Sequence, residues 1–144
     1  MSKTENLLVS LSIGALLWAA GCSTLRPADS ARIQGTWKGQ EIGGNTEGSR
    51  CLIISGSTLE FRGANPDDWC KGTFTLREDT DPRRLVGTIT ECRQAEYIDK
   101  TVCAIYRLQG DTLTIAGYEP GNSSVPSAFD APGVRHFVLK RESR

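Results

Sequence analysis

The sequence predicts an all-β domain, an eight-stranded antiparallel barrel of up-and-down order. Three observations carry this. Apolar and polar residues alternate with a period of two over short stretches, the pattern of half-buried strands. Turn-forming residues separate these stretches at short intervals, as in sandwiches and barrels. The stretches follow one another in simple order, and closing such a meander leaves no unpaired edge.

The elements run as follows. Residues 31–34 suit a single turn, and the first strand spans 35–42, ended by Gly43-Gly44-Asn45. A second strand at 51–55 turns through Gly56-Ser57 into a third at 58–62, and a two-residue connection is a hairpin signal. After a polar loop with Asn65-Pro66-Asp67-Asp68, the fourth strand spans 71–77, with Phe74 and Leu76 on one face. Pro82 lies in the next turn, and the fifth strand, 85–92, sets Leu85, Gly87, Ile89 and Glu91 against Val86, Thr88 and Thr90. Gly110-Asp111 joins strands at 101–109 and 112–118. A segment with three prolines, 119–133, precedes the last strand at 134–141. In a meander the longer loops, after the first, third, fifth and seventh strands, share one end. Phe61, Phe74, Tyr106 and Leu113 are expected core, and such bulk in a small barrel leaves little expected cavity.

Composition narrows the function. The chain holds 17 Lys and Arg against 17 Asp and Glu, with no run of like charge. Nothing steers it toward nucleic acid, which demands a basic patch. Of five cysteines, Cys22 lies apart near the N-terminus. Cys51, Cys70, Cys92 and Cys103 form an even set without a CxxC pair, which favours two disulfides over zinc. The expected layout puts all four at the long-loop end. Cys92 and Cys103 then face each other across one hairpin, leaving Cys51 with Cys70.

The N-terminal 20 residues carry an uncharged run from Leu7 to Ala20, shorter than the roughly 20 apolar residues that span a bilayer. It fits the apolar region of an export signal. Ala19-Ala20-Gly21-Cys22 resembles the lipobox of bacterial lipoproteins, although Ala19 stands where leucine is usual. The resemblance implies cleavage after Gly21, lipid on Cys22, and a division into signal peptide 1–21, lipidated tether 22–32 and barrel domain 33–142. Ser23 rather than Asp after the cysteine implies the outer membrane, facing the periplasm.

Ile33-Gln34-Gly35-Thr36-Trp37-Lys38 resembles the LQGTW opening of a small lipocalin-like β-barrel domain abundant in planctomycetes and of no established function. Lys71-Gly72-Thr73-Phe74 is similar to its fourth strand. Residues 105–113, IYRLQGDTL, resemble its IYELDGDTL hairpin, and FVLKR at 137–141 resembles its LVLKR tail. Gly35-x-Trp37 is also similar to the lipocalin GxW, where the tryptophan plugs the closed end beneath a basic residue. Here that residue would be Arg141 or Lys140. The four domain cysteines depart from the family pattern.

No catalytic constellation emerges. His136 is the only histidine, a poor start for a transition-metal site or a nucleophile pair. Asp67, Asp68, Glu78, Asp79 and Asp81 read as solvated turn residues. Trp69, Tyr97 and Tyr118 are candidate rim-binding aromatics. The expected partners are a membrane, through lipid, and a small apolar ligand or an envelope protein. No cofactor or metal is expected. The alternative is an inhibitor of a lysozyme or protease, with 119–133 as the one loop long enough to protrude.

Overall fold

A computed structural model describes residues 25–45 and 47–143. A short helix, α1 (Asp29–Arg32), leads into eight strands: β1 (Gly35–Ile42), β2 (Arg50–Ser55), β3 (Thr58–Arg62), β4 (Trp69–Arg77), β5 (Arg83–Cys92), β6 (Thr101–Gln109), β7 (Thr112–Gly117) and β8 (Arg135–Arg141). Each strand pairs antiparallel with the next, and β8 returns to β1, closing the barrel in sequence order. A 3₁₀ turn, Ala95–Tyr97, lies between β5 and β6. The helix begins two residues before the expected turn at 31, and β4 begins two residues before the expected 71.

Alternation along the strands decides what lies inside. Trp37, Leu52, Ile54, Phe74, Leu85, Tyr106, Leu108, Leu113 and Leu139 form one buried cluster with Ile33 and Ala104. Full burial of such a side chain contributes roughly 1.5–3 kcal/mol. A register shift between Lys71 and Gly72 bends β4 against β5. Gly72 permits this close approach, because a Cβ there would lie 2.3 Å from the carbonyl oxygen of Thr88.

The segment between β7 and β8 does not protrude, which corrects the sequence expectation. Ile105, Thr114 and Ala116 alternate with the inward residues of β6 and β7, so they face outward, yet they are buried. Pro126 is buried as well, and Phe129 lies 5.8 Å from the His136 ring and 5.0 Å from the Arg107 guanidinium. The segment therefore folds back across the outer faces of β6, β7 and β8 as a small second apolar layer.

The two ends differ. The 43–49, 63–68, 93–100 and 118–134 connections crowd one end, which we call the open end. The tight β2–β3 and β6–β7 turns and the 78–82 turn, with α1, shut the other.

Candidate functional site

The closed end is built on Trp37 and Asp29. Trp37 is fully buried, and its indole N–H donates to the Ile33 carbonyl at 2.8 Å. The Arg141 guanidinium lies 4.2 Å from the ring centroid, a favourable cation–π contact. Arg141 also donates to the carbonyls of Arg32 and Gln34 and to Asp111, so it binds α1 to β8. Gly35 sits beneath it with φ +126°, where a Cβ would meet Arg141 Nη1 at 3.1 Å. Lys140, the other candidate, is exposed and donates to Thr112 instead.

Asp29, read from sequence as part of a loose tether, is 1% exposed. Its carboxylate accepts from Tyr106 at 2.9 Å, from Arg32 at 2.7 Å and from Arg83, while its own N–H donates to Glu78. Burial pushes its pKa up. The hydrogen bonds from Tyr106 and Arg83, with the charges of Arg83 and Arg32, more than reverse this and hold it below 3.8. Burial raises the Tyr106 hydroxyl well above its usual value, and the Asp29 bond raises it further.

The sign of the linkage follows. A carboxylate with a depressed folded pKa stabilises the fold fully above its unfolded pKa, and this contribution disappears as pH falls through the folded value. Asp29 therefore adds stability that is present at neutral pH and lost below pH 3.8. Asp29→Ala leaves the Tyr106 hydroxyl buried without this partner, and should cost about 2–3 kcal/mol at pH 7. At low pH the variant should lose only the part of that difference owed to the Asp29 charge, because the Tyr106 hydroxyl lacks its partner at either pH. Urea unfolding at both pH values checks this, and an equal cost at pH 7 and pH 2.5 (about one unit or more below the usual carboxylate value) would contradict it.

At the open end the barrel is not filled. A cavity of about 200 Å³ is lined by Leu59, Phe61, Phe74, Ile89, Val102, Ile115 and Phe137 among others, and is overwhelmingly apolar. This corrects the expectation of little cavity. The bulk is segregated: Trp37, Tyr106, Leu108 and Leu113 pack toward the closed end, while Phe61 and Phe74 become walls. Tyr97 and Tyr118 line the mouth, and the Tyr97 hydroxyl reaches Glu119 at 3.5 Å. Burial and the neighbouring carboxylates of Glu119 and Glu96 raise the Tyr97 pKa. Trp69 is not with them. It alternates with Cys70, which lines the cavity, so Trp69 faces outward beside Lys71.

The cysteine pairing also differs from expectation. Cys70 and Cys92 are opposite each other on β4 and β5 and form a disulfide, while Cys51 and Cys103 are free. Cys51 stands opposite Arg62 and alternates with buried Leu52, so it faces outward where Cys70 faces inward. Cys103 is opposite Val86, because the β5–β6 ladder stops at Thr88 and Thr101 and the end of β5 pairs only with β4. Burial pushes the Cys51 thiol pKa up, against the pull of Lys38 and Arg62.

The remaining sequence candidates do not converge. His136 is half-buried under Phe129. Asp67 faces Arg93, Asp79 pairs with Arg77, and Glu78 caps the Asp29 N–H. Among the described residues no three His, Cys, Asp or Glu side chains come together as metal ligands. Cys22 lies outside the described residues.

A charged group that sequence reasoning overlooked sits at the open end. Glu41, Arg50 and Arg135 alternate in step with Trp37, Leu52 and Phe137, so all three point into the barrel. That same two-residue periodicity was the signal available in the sequence. Compared with protein-family models, curated proteins and solved structures, the chain matches none.

Proposed function

We propose that this chain is a lipid-anchored extracytoplasmic protein whose barrel holds a small apolar ligand. The observation that supports the binding reading is the apolar cavity of about 200 Å³, opening among the long loops. An apolar cavity of about 150 Å³ suffices for benzene, whereas drug-sized sites run to about 300–1,000 Å³. The ligand is therefore of the size of one ring or a short branched chain. The lipobox-like Ala19-Ala20-Gly21-Cys22 supports the anchor, and Ser23 favours the outer membrane facing the periplasm. The resemblance to a lipocalin-like domain agrees with this reading. Nothing in the geometry favours an inhibitor, since the 118–134 segment lies back on the barrel, and no catalytic step is proposed.

Toluene tests the cavity. Titrated into the labelled protein, it should shift the amide signals of Leu59, Val102 and Ile115 saturably. Ile115→Trp, which fills the cavity, should abolish these shifts while circular dichroism stays that of a folded barrel. Shifts that do not saturate, or that survive the filling variant, would remove the binding reading.

A further inference from the structure

The inward faces of three strands turn from apolar to charged where they reach the open end. On β8 the inward residues run Leu139, Phe137 and then Arg135; on β1 they run Trp37, Gly39 and Glu41; β2 begins with Arg50 before Leu52. Glu41 accepts from Arg135 Nε at 2.9 Å and Nη2 at 3.0 Å, and from Arg50 Nη2 at 3.1 Å. Asp68 and Glu119 line the cavity together with Arg135 and attract it through space. The charge of Arg135 is thus matched from several sides, and it asks no counter-ion of an occupant.

What Arg135 offers an occupant is bulk. Its guanidinium lies 5.6 Å from the Phe61 centroid and 5.2 Å from that of Phe137, two walls of the cavity. The side chain is nevertheless 42% exposed. One side of it therefore covers apolar wall while the other meets water, as long cationic side chains do at an apolar boundary. The two-point bond to Glu41 fixes the plane of the group. Glu41 is in turn held by Arg50, which is 2% exposed and donates from Nη1 to the Gly48 carbonyl at 2.7 Å. Arg135 cannot swing aside for a ligand without giving up both bonds to Glu41.

We propose that Arg135 roofs the cavity and sets the length of what it admits, an apolar ligand of one ring with at most a short substituent. The guanidinium covers the strip of Phe61 and Phe137 that a longer chain would need. The proposal rests on the cavity reading and adds to it the residue that limits ligand size.

Toluene and n-butylbenzene, titrated into the parent and into Arg135→Ala, test it through the amide signals of Leu59, Val102 and Ile115. The second probe has three more methylenes, and full burial of each would tighten binding about fourfold, or about sixtyfold in all. The parent should bind the two within about threefold, because the added chain stays in water. Arg135→Ala uncovers the two rings and leaves Glu41 paired with Arg50. It should favour n-butylbenzene by about tenfold or more, with toluene affinity little changed. If the alanine variant does not fold, Arg135→Leu, which keeps a shorter apolar cover on the rings, should also raise the ratio above that of the parent. A parent ratio above about tenfold, or a ratio that removing the guanidinium leaves unchanged, overturns the proposal while toluene binding spares the cavity. No toluene binding to the parent overturns both.

Discussion

Trp37→Ala is expected to lower the unfolding free energy by about 3–5 kcal/mol, the range for deleting a large aromatic from a packed core. Three losses combine. The indole is fully buried, so its removal opens a void where β1 meets the closed end. The Ile33 carbonyl loses the indole N–H that it accepts. Arg141 loses the ring beneath it and keeps only its bonds to Arg32, Gln34 and Asp111. Single domains hold about 5–15 kcal/mol in total, so this one change removes a large share of the stability. For a domain of this size the melting temperature should fall by about 10–20 °C. Urea denaturation followed by circular dichroism measures it. A loss below about 0.5 kcal/mol, the usual ceiling of an uncritical surface change, would show that the indole is not what holds the closed end. Trp37→Phe should fall between the two, since it restores most of the volume but neither the hydrogen bond nor the indole face.

The strands were legible because their signals are local. Leu85, Gly87 and Ile89 alternate with polar neighbours, and Gly56-Ser57 and Gly110-Asp111 mark turns within four-residue windows. The closed end was legible in part, since Gly35-x-Trp37 and Arg141 meet as the lipocalin resemblance implied. Asp29 was not. Its partners Arg83 and Tyr106 lie 54 and 77 positions away, and no periodicity in the tether announces them. The disulfide needed the register as well as the alternation. A hairpin drawn from Cys92 directly to Cys103 ignores the 3₁₀ turn at Ala95–Tyr97, which lets β5 run past the end of its ladder with β6. The cavity was hidden for a different reason. Counting bulky residues measures how much could fill a barrel, but not at which end they pack.

Cys22→Ser is expected to move the protein from the membrane fraction to the soluble fraction once its signal is cut. Each buried CH₂ of an acyl chain contributes about 0.8 kcal/mol, and one chain holds a protein only marginally, whereas several hold it stably. Loss of the thiol removes the attachment point of the diacylglycerol, which carries most of the chains, so the effect should approach complete release. Intact mass of the parent should exceed that of the polypeptide starting at Cys22 by the mass of the lipid. A free Cys22 thiol on an unmodified chain, with membrane retention unchanged by the serine, would defeat the anchor. Such an anchor would also bear on how ligand arrives. Asp29 lies seven positions after Cys22, a reach of at most about 25 Å at 3.3–3.6 Å per residue. Asp29 is locked into the closed end by Tyr106 and Arg83, so a lipid on Cys22 would tie the closed end to the bilayer. The cavity opens at the opposite end, among the long loops. A mouth so held away from the lipid would draw on solutes of the aqueous phase rather than on the bilayer.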